Sequence, residues 1–461
     1  MAASNWESQT VPHSITEAQR LFEASAPCSR DVHLISTAHA QLVLVADGSR
    51  LFEIDPDTFQ HFKDLMSVPQ GDAALDEFLK ELGVSGEPRI GDDAPESPPV
   101  RALSLAVAQK CNLGCAYCYA HQGDFGGAAK NMPVETALRA VDLLFSEVQP
   151  GERVNLAFLG GEPLINRVVI HSATQRALEI AKERDARVTF SITTNGTLVA
   201  ESDAEFFEAH GFAVTISLDG LQRTHDALRP YKGGAGTFDR IIANIRPLLA
   251  RQRRMQVSAR VTVTPANLDL RETLDEFIAL GFHSVGFSPL LNASNGVNQM
   301  EREHLKIMLG QMVDCGQEFE RRLVAGERYP FSNMVNALRE IHKGTHRPYP
   351  CGAGAGYFGV SADGDLAACH RFVGDAEGDM GSVDRGVDRE AQARWLHDRH
   401  VHRQEPCHSC WARYLCGGGC HHEVIQRGRP ACDYIRGWLH YCLEAYSRLS
   451  AQVPSWFNQA K

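Results

Sequence analysis

Three cysteines lie close together in the stretch VAQKCNLGCAYCYAH, at Cys111, Cys115 and Cys118. Thiolates bind both zinc and iron–sulfur clusters. Zinc prefers a closed site with four protein ligands, and its cysteine ligands usually come in pairs separated by two residues. This triplet therefore fits zinc poorly. A four-iron cluster that is held by three thiolates leaves one iron open to an external ligand, and catalysis needs such an open position. The triplet therefore favours a catalytic iron–sulfur site over a structural zinc site.

A second field of cysteines occupies the C-terminal part of the chain. Thirteen cysteines in a chain that starts without the basic and apolar blocks of a signal peptide indicate metal binding rather than disulfides. Structural zinc sites that include His408, His421 or His422 are one interpretation of this field. The two isolated cysteines, Cys28 and Cys315, are expected to be buried apolar side chains. The field itself contains Cys351, Cys369, Cys407, Cys410, Cys416, Cys420, Cys432 and Cys442.

The charge and hydropathy of the chain exclude several kinds of partner. The chain has 46 basic and 57 acidic residues, a formal net charge of −11, so neither nucleic acid nor an anionic membrane surface is an expected partner. No apolar run approaches the roughly 20 residues that a membrane-spanning helix needs. We therefore expect a cytoplasmic protein.

The elements that must position the first three cysteines are strands and helices in alternation. Between residues 101 and 330, short β-rich runs alternate with longer helix-periodic runs, which predicts a parallel sheet of six β/α units, open or curled into a partial TIM-like barrel. Ligands of such folds bind at the carboxyl ends of the strands, and the cysteine triplet begins where the first strand ends. The predicted strands are RALSLAVA, RVNLAFLG, RVTFSITTN, FAVTISLDG, VSARVTVTP and HSVGFSPLL.

Three domains are predicted in all, and the fold class is α/β. Residues 1–95 form an N-terminal module and linker, in which a β-hairpin followed by helices spans about 28–85 and a stretch rich in Pro, Gly and acidic residues spans 86–100. The barrel occupies 101–330. Residues 345–461 form a Cys-rich domain that owes its fold partly to metal and ends in a long helix.

The triplet resembles the signature of a known family. The stretch CNLGCAYC is similar to the Cys-x3-Cys-x-aromatic-Cys motif of the radical S-adenosylmethionine (SAM) enzymes, with Tyr117 as the aromatic residue. In that family the amino group and carboxylate of SAM complete the coordination of the cluster. The resemblance implies reductive cleavage of SAM to a 5′-deoxyadenosyl radical, which removes hydrogen from an unactivated carbon.

Further matches to this family fall at the ends of successive predicted strands. The motif GGEP, residues 160–163, resembles the segment that holds the methionine amine, and Arg260 resembles the arginine that pairs with the SAM carboxylate. Asp219 is a candidate carboxylate facing the substrate and a candidate base for a substrate thiol, or it merely caps a loop. The resemblance assigns SAM contacts to Tyr117, Gly160, Gly161, Glu162, Pro163, Asn195, Ser217 and Arg260.

The spacing of the C-terminal cysteines resembles the SPASM extension of radical SAM enzymes, which carries two auxiliary clusters. The resemblance implies three [4Fe-4S] clusters in total. One auxiliary cluster would be held by Cys407, Cys410, Cys416 and a late cysteine, and the other by Cys351, Cys369 and Cys420.

Two cysteines near the C-terminus, Cys432 and Cys442, are candidates for the remaining ligand positions of the two auxiliary clusters. Cys432 is the favoured partner of the 407–416 set. Cys442 follows ten residues later, about 15 Å along a helix, so it cannot simply substitute. It is either the fourth ligand of the other cluster or a buried thiol. If neither late cysteine serves that other cluster, one of its irons is open to a substrate thiolate.

SPASM enzymes mainly modify peptides and proteins. The N-terminal module resembles winged-helix peptide-recognition domains, to whose sheet edge a leader peptide adds as a strand, although a generic packing module is an alternative. The stretch 415–442 resembles the maturases of quinohemoprotein amine dehydrogenase, which implies Cys-to-Asp/Glu thioether bonds in the small subunit of that enzyme and electron supply by flavodoxin or ferredoxin. Carbon–carbon crosslinking, formylglycine formation in a sulfatase, and a non-catalytic zinc-binding scaffold are the alternatives.

Overall fold

A computed structural model of the chain describes residues 13–24, 29, 31–68, 72–85, 88–293 and 295–458. Cys28 lies outside these described residues. None of the helices within them is both long enough and apolar enough to cross a membrane.

The N-terminal module contains a three-stranded antiparallel sheet with the strands in sequential order. The helix after the sheet begins where Asp55 accepts hydrogen bonds from the backbone N–H groups of Asp57 and Thr58, and Pro56 occupies the first helical position. The predicted hairpin and helices are thus present. The elements are α1 (His13–Ala24), β1 (Val32–Ser36), β2 (Gln41–Val45), β3 (Arg50–Ile54), α2 (Pro56–Ser67) and α3 (Asp72–Glu81).

Six parallel strands form the barrel, and each agrees with a predicted strand within a few residues. Their order is β4-β6-β7-β8-β9-β10, so each new strand is added at the same edge, as in a singly wound barrel. The prediction of an α/β partial barrel is confirmed. The strands are β4 (Ala102–Gln109), β6 (Arg153–Gly160), β7 (Arg187–Thr194), β8 (Ala213–Ser217), β9 (Gln256–Val263) and β10 (Ser284–Pro289), and a short β5 (Lys130–Asn131) pairs with β4.

The alternation of side chains along the strands separates a helix-covered face from an open interior. In β9, Val257, Ala259 and Val261 are buried beneath the helices, whereas Arg260 and Thr262 between them remain at least partly exposed. The helices on the outer face are α4 (Val134–Phe145), α5 (Arg167–Glu183), α6 (Glu201–His210), α7 (Gln222–Leu228), α8 (Phe238–Arg251) and α9 (Leu270–Ala279).

The C-terminal strands continue the sheet of the barrel. Strand β11 pairs parallel with β4, and β12, β13 and β14 follow it in antiparallel order, which gives an eleven-stranded sheet. The Cys-rich segment is therefore joined to the barrel by backbone hydrogen bonds. The strands are β11 (Tyr357–Val360), β12 (Asp365–Ala367), β13 (Asp379–Ser382) and β14 (Gly386–Val387).

Helices complete the C-terminal half. The predicted terminal helix is present as α15. It packs against α1, α10 and α11. The helices are α10 (Arg302–Val324), α11 (Ser332–His342), α12 (Arg389–Arg399), α13 (Arg413–Cys416), α14 (His421–Arg427), α15 (Cys432–Gln452) and α16 (Pro454–Asn458).

The N-terminal module packs on the C-terminal segment. The ring of His33 in β1 stacks on Trp411 with 3.8 Å between centroids, and its Nε2 lies 2.9 Å from Nδ1 of His440 in α15. Burial lowers the pKa of His33 well below its usual range, so this contact is made by a neutral imidazole.

Candidate active site and cysteine groups

The first cysteine group, Cys111, Cys115 and Cys118, lies in the loop after β4. All three line one cavity of about 450 Å³ at the carboxyl ends of the barrel strands. We name it the barrel cavity. The backbone N–H of Leu113 donates to Sγ of Cys111 at 3.4 Å. Burial raises the pKa of Cys115 to about 11, and the guanidinium of Arg229 opposes that shift.

Gly160 and Gly161 allow the end of β6 to approach the cysteine loop closely. The N–H of Gly161 donates to the carbonyl of Ala108 at 2.8 Å. A Cβ atom on Gly161 would lie 2.3 Å from the carbonyl oxygen of Lys110, a distance that no real side chain tolerates. Both glycines line the barrel cavity, and Pro163 begins the short helical turn that follows. Glycine is required here because two backbones meet.

Glu162 does not line the barrel cavity, in contrast to its predicted role as an acceptor for SAM. Its side chain is fully buried and accepts hydrogen bonds from the Thr194 hydroxyl at 2.7 Å, from the Asn195 N–H at 2.7 Å and from the Leu164 N–H at 3.0 Å. Burial raises the pKa of this carboxyl group, and the three donors oppose the shift. The carboxylate therefore joins the ends of β6 and β7.

Asn195 and Ser217 lie where the sequence places them, at the cavity. The Asn195 amide donates to Oδ1 of Asn112 at 3.0 Å and lies 3.7 Å from Sγ of Cys111, so the end of β7 holds the cysteine loop. Ser217 lines the cavity at the end of β8. Tyr117 also lines it. Asn195 and Tyr117 already have hydrogen-bond partners within the chain, so they lie beside a ligand of the cavity with their polar groups engaged.

Arg260 projects from β9 into the interior of the barrel and is exposed there. Within the described part of the chain no hydrogen bond or ion pair to its guanidinium is found, and its charge contributes to the lowered pKa of His370. Gly286 on β10 faces it, and a Cβ at that glycine would lie 3.9 Å from Nη1 of Arg260. An unpaired guanidinium inside a barrel suits a carboxylate ligand.

Asp219 does not face the barrel cavity, contrary to the expectation of a substrate-facing carboxylate. Its side chain is fully buried; the hydroxyl of Tyr117 donates to Oδ2, Nη1 of Arg229 lies 3.4 Å from the same oxygen, and the Thr262 N–H donates to Oδ1 at 2.8 Å. Burial raises its pKa. A role as base stays a prediction, and it requires Tyr117 and Arg229 to move aside.

The cavity side chains that sequence reasoning missed include Tyr119, Arg229, Tyr357 and His370. The Tyr357 hydroxyl donates to Oγ of Ser104 at 2.9 Å and lies 2.7 Å from Nδ1 of His370, so it connects β11 to the inside of β4. These residues come from loops and from the C-terminal half, and no local motif marks them. The sequence feature that could have indicated this cavity is the polar residues at inward-facing positions of the strands, such as Thr262.

A second cysteine group surrounds a small cavity of about 80 Å³. Burial raises the pKa values of Cys407, Cys416 and Cys432, and the thiol of Cys410 raises each of them further, which places the four thiols together. Cys432, the first residue of α15, lines this cavity with the other three and belongs to the group, as the resemblance to the SPASM extension implied. The second cysteine group is Cys407, Cys410, Cys416 and Cys432.

The third cysteine group consists of Cys351, Cys369 and Cys420. Burial raises the pKa of Cys369 to about 12, and Cys420 and Cys351 raise it further. Tyr119, the neighbour of Cys118, interacts with both Cys118 and Cys369. Tyr119 and His370, the neighbour of Cys369, line the barrel cavity, although no cysteine of the third group does. Cys420 also lines the small cavity of the second group.

Cys442 belongs to neither C-terminal group, and its prediction as a metal ligand is wrong for this structure. The thiol is fully buried in α15, and its Sγ lies 3.9 Å from Sδ of Met334 in α11. Ten helical residues separate it from Cys432, and the helix carries it into the core. Cys315 is also fully buried, as expected.

The cysteine groups fit iron–sulfur clusters better than single ions. Among the described residues no three His, Cys, Asp or Glu side chains converge on a point where one metal ion would be bound. In a four-iron cluster each thiolate binds a different iron, so the sulfur atoms surround the cluster and need not converge. Thiolates alone, without carboxylates, are also the ligands such clusters prefer.

The fold and site define an α/β-barrel protein with a cysteine-lined cavity, and comparison with known proteins gives the family. Residues 105–278 match the model of the radical SAM superfamily. A serine-type anaerobic sulfatase-maturating enzyme of Klebsiella aerogenes is 25% identical over 357 residues, 74% of this chain and 85% of the relative. An uncharacterized protein of Methanocaldococcus jannaschii is 30% identical over 233 residues, 50% of this chain and 73% of the relative.

A solved structure shares the fold. The structure of native anSMEcpe with bound AdoMet superposes with a TM-score of 0.62 at 19% identity, over 79% of this chain and 100% of that chain. The chain belongs to the radical SAM superfamily and is a radical SAM enzyme. The alternative of a non-catalytic zinc-binding scaffold is thereby discarded.

Proposed function

We propose that this enzyme is a maturase that forms thioether bonds between Cys sulfur and the carbon side of Asp or Glu residues in a ribosomally made polypeptide. The observation that carries the proposal is the third cysteine group. It contains three of the described cysteines, while Cys432 joins the second group and Cys442 lies in the core. One iron of a cluster held there is left for the thiolate of a substrate cysteine.

The three cysteine groups would each hold a [4Fe-4S] cluster, and SAM would complete the first. When bound, this cofactor pair supplies an electron and a 5′-deoxyadenosyl radical that abstracts a hydrogen atom from a substrate methylene. Arg260 would pair with the SAM carboxylate, while Asn195, Ser217 and the backbone at Gly160 and Gly161 would hold its remaining polar groups. Tyr117 would pack against it.

The reaction balances with one acceptor. The carbon–hydrogen bond would lose its hydrogen atom to the 5′-deoxyadenosyl radical, which would become 5′-deoxyadenosine. The thiol would lose its proton to a base, and the carbon–sulfur bond would form with release of one electron. The third group, beside Tyr119 and His370 at the cavity wall, would take this electron. Asp219 is the proposed base. Flavodoxin or ferredoxin would supply the first electron.

The N-terminal module would bind the leader of the substrate. In the described residues neither outer strand of its sheet, β1 or β3, pairs with a further strand. An extended peptide adds to such an edge through backbone hydrogen bonds. We propose 1–95, 101–330 and 345–461 as the recognition, catalytic and auxiliary-cluster domains.

Formylglycine formation is the second candidate, and the relatives favour it. Several of them are sulfatase-maturating enzymes that match this chain over 70% or more of its length. The chain of native anSMEcpe is covered completely, yet it covers 79% of this chain. About a fifth of this chain therefore has no counterpart in that protein, which favours a substrate that needs additional recognition.

The test presents two substrates to the anaerobically reconstituted enzyme under dithionite. One is the small subunit of quinohemoprotein amine dehydrogenase with its leader, and the other is a sulfatase peptide with a Cys or Ser at the modified position. Thioether formation appears in the mass spectrum as loss of two hydrogens per bond with sulfur retained. Oxidation of the sulfatase residue alone would refute the proposal in favour of formylglycine formation. The variant with Cys111→Ala, Cys115→Ala and Cys118→Ala is the control, and it should form no 5′-deoxyadenosine.

A further inference from the structure

Buried arginine nitrogens without partners are concentrated at the cysteine groups. Among the described residues, five arginines have a buried side-chain nitrogen that lacks a hydrogen-bond partner. Four of them, Arg229, Arg347, Arg371 and Arg436, act electrostatically on a cysteine of one of the three groups. Arg251 is the fifth, and it pairs with Glu201 on the outside of the barrel. An unpaired buried donor destabilises a protein, so its repeated occurrence beside cysteines calls for an acceptor there.

Arg229 has this arrangement at the first group. Nη1 is engaged by the Tyr117 hydroxyl at 2.6 Å and by Asp219 at 3.4 Å, whereas Nε has no partner. The side chain is only 12% exposed and lines the barrel cavity beside the three cysteines. The side chain is therefore in the cavity wall, held by Tyr117 and Asp219, and its Nε is buried without a partner.

Arg371 repeats the arrangement at the third group. Nη1 lies 2.7 Å from Oε1 of Glu423 and 3.9 Å from Sγ of Cys420, and Nε is again unpaired. The guanidinium also lies 5.4 Å from the centroid of the Tyr119 ring. A carboxylate and an aromatic ring thus fix a cation against a cluster cysteine.

Arg436 completes the set at the second group. Nη2 donates to Asp433 at 2.6 Å, the side chain is 10% exposed, and Nε has no partner. Arg436 lines the same small cavity as the four cysteines of that group. Each group therefore has at least one arginine that is anchored by a carboxylate and keeps Nε free. The third group has a second, Arg347, which is paired with Glu340.

We propose that Arg229, Arg436 and Arg371 donate their Nε–H groups to sulfur atoms of the clusters held by the first, second and third cysteine groups, respectively, and so raise the reduction potential of each. This inference rests on the proposal that the groups hold iron–sulfur clusters. One-electron reduction adds negative charge to a cluster. A fixed cation that donates to sulfur stabilises the reduced form more than the oxidised form, because hydrogen bonds and net charge set cluster potentials.

The test is a potentiometric titration of the reconstituted protein, followed by electron paramagnetic resonance. Arg229→Met, Arg436→Met and Arg371→Met should each lower the reduction equilibrium constant of one cluster at least tenfold, about 59 mV for one electron. The other two clusters should keep their potentials. Arg251→Met is the matched control and should shift none. In the variant that lacks the three cysteines of the first group, the effect of Arg229→Met should vanish.

Unchanged potentials in all three Met variants, at full iron and sulfide content, would overturn the inference. If a Met variant loses iron, the corresponding Lys variant is measured instead, because Lys keeps the positive charge but lacks the Nε donor. A lowered potential of the same cluster in the Lys variant supports the inference. A potential equal to that of the wild type overturns it. Absence of iron and sulfide from the reconstituted wild type would instead overturn the proposed function, so the two failures are distinguishable.

Discussion

Substituting Glu162 tests whether its carboxylate is a structural tie between strands or a direct ligand of SAM. In the structure, Oε1 accepts from the Thr194 hydroxyl and the Leu164 N–H, and Oε2 accepts from the Asn195 N–H. In Glu162→Gln, the carbonyl oxygen can replace Oε1 and keep two of these bonds. The amide NH2 then faces the N–H of Asn195, and two donors oppose each other.

The loss of stability expected in each variant follows from the number of donors that are left without an acceptor. One buried N–H loses its acceptor, which destabilises a protein by about 1–3 kcal/mol. Glu162→Ala removes the acceptor for all three donors and leaves a cavity as well, so its cost should exceed that of Glu162→Gln. A carboxylate whose only role were to bind SAM would give no such loss in the free protein.

Urea unfolding of the cofactor-free protein measures the difference, provided the slope of the transition is unchanged. Glu179→Gln is the matched control, because Glu179 is exposed on α5 and is bonded only to Gln175; it should stay within about 0.5 kcal/mol of the wild type. If Glu162→Gln is as stable as this control, the carboxylate does not hold the strands together. A large rise in the Kd for SAM without loss of stability would restore the role predicted from the sequence.

Three further outcomes are expected. Gly161→Ala should displace the cysteine loop and lower the iron content, since its Cβ would lie 2.3 Å from a carbonyl oxygen, whereas Gly233→Ala, in open space, should not; equal iron contents would contradict this. Cys432→Ala should lose the iron of the second group and Cys442→Ala should keep all of it, and loss of iron in Cys442→Ala would contradict our assignment. Burial lowers the pKa of His225 to about 3, so the folded state keeps this imidazole neutral while the unfolded state takes up a proton below about pH 6.5. The contribution of His225 to the free energy of unfolding is present above that pH and falls by about 1.4 kcal/mol at pH 5.5. The urea midpoint should therefore decrease less between pH 7 and pH 5.5 in His225→Gln than in the wild type. An identical decrease in both proteins would refute this prediction.

Contacts between the barrel and the C-terminal half bear on the proposed electron transfer to the third cysteine group. The cysteine-rich half is joined to the barrel through the pairing of β11 with β4, and Tyr357 of β11 reaches Ser104 inside the barrel. Tyr357 and His370, both in the wall of the barrel cavity, are thereby fixed to the barrel, and Cys369 directly precedes His370.

The sequence by itself determined the features that depend on short separations along the chain. The strands of the barrel follow from local apolar patterns, and the position of Cys111, Cys115 and Cys118 follows from the end of the first strand. The division of the C-terminal cysteines into two groups was implied only by their resemblance to the SPASM extension, whereas the strand pattern and the first cysteine triplet are local features of the chain. Such features need few contacts with distant residues.

Only the tertiary structure decided what depends on side-chain direction and on distant partners. Cys442 differs from Cys432 solely in where α15 carries it, and packing against Met334 sets that position. Glu162 is turned inward by donors from a strand about thirty residues away, and Asp219 is enclosed by Tyr117 and Arg229. A motif gives the type of a residue, but burial and hydrogen bonding to other segments determine which way its polar atoms point, and those contacts exist only in the folded chain.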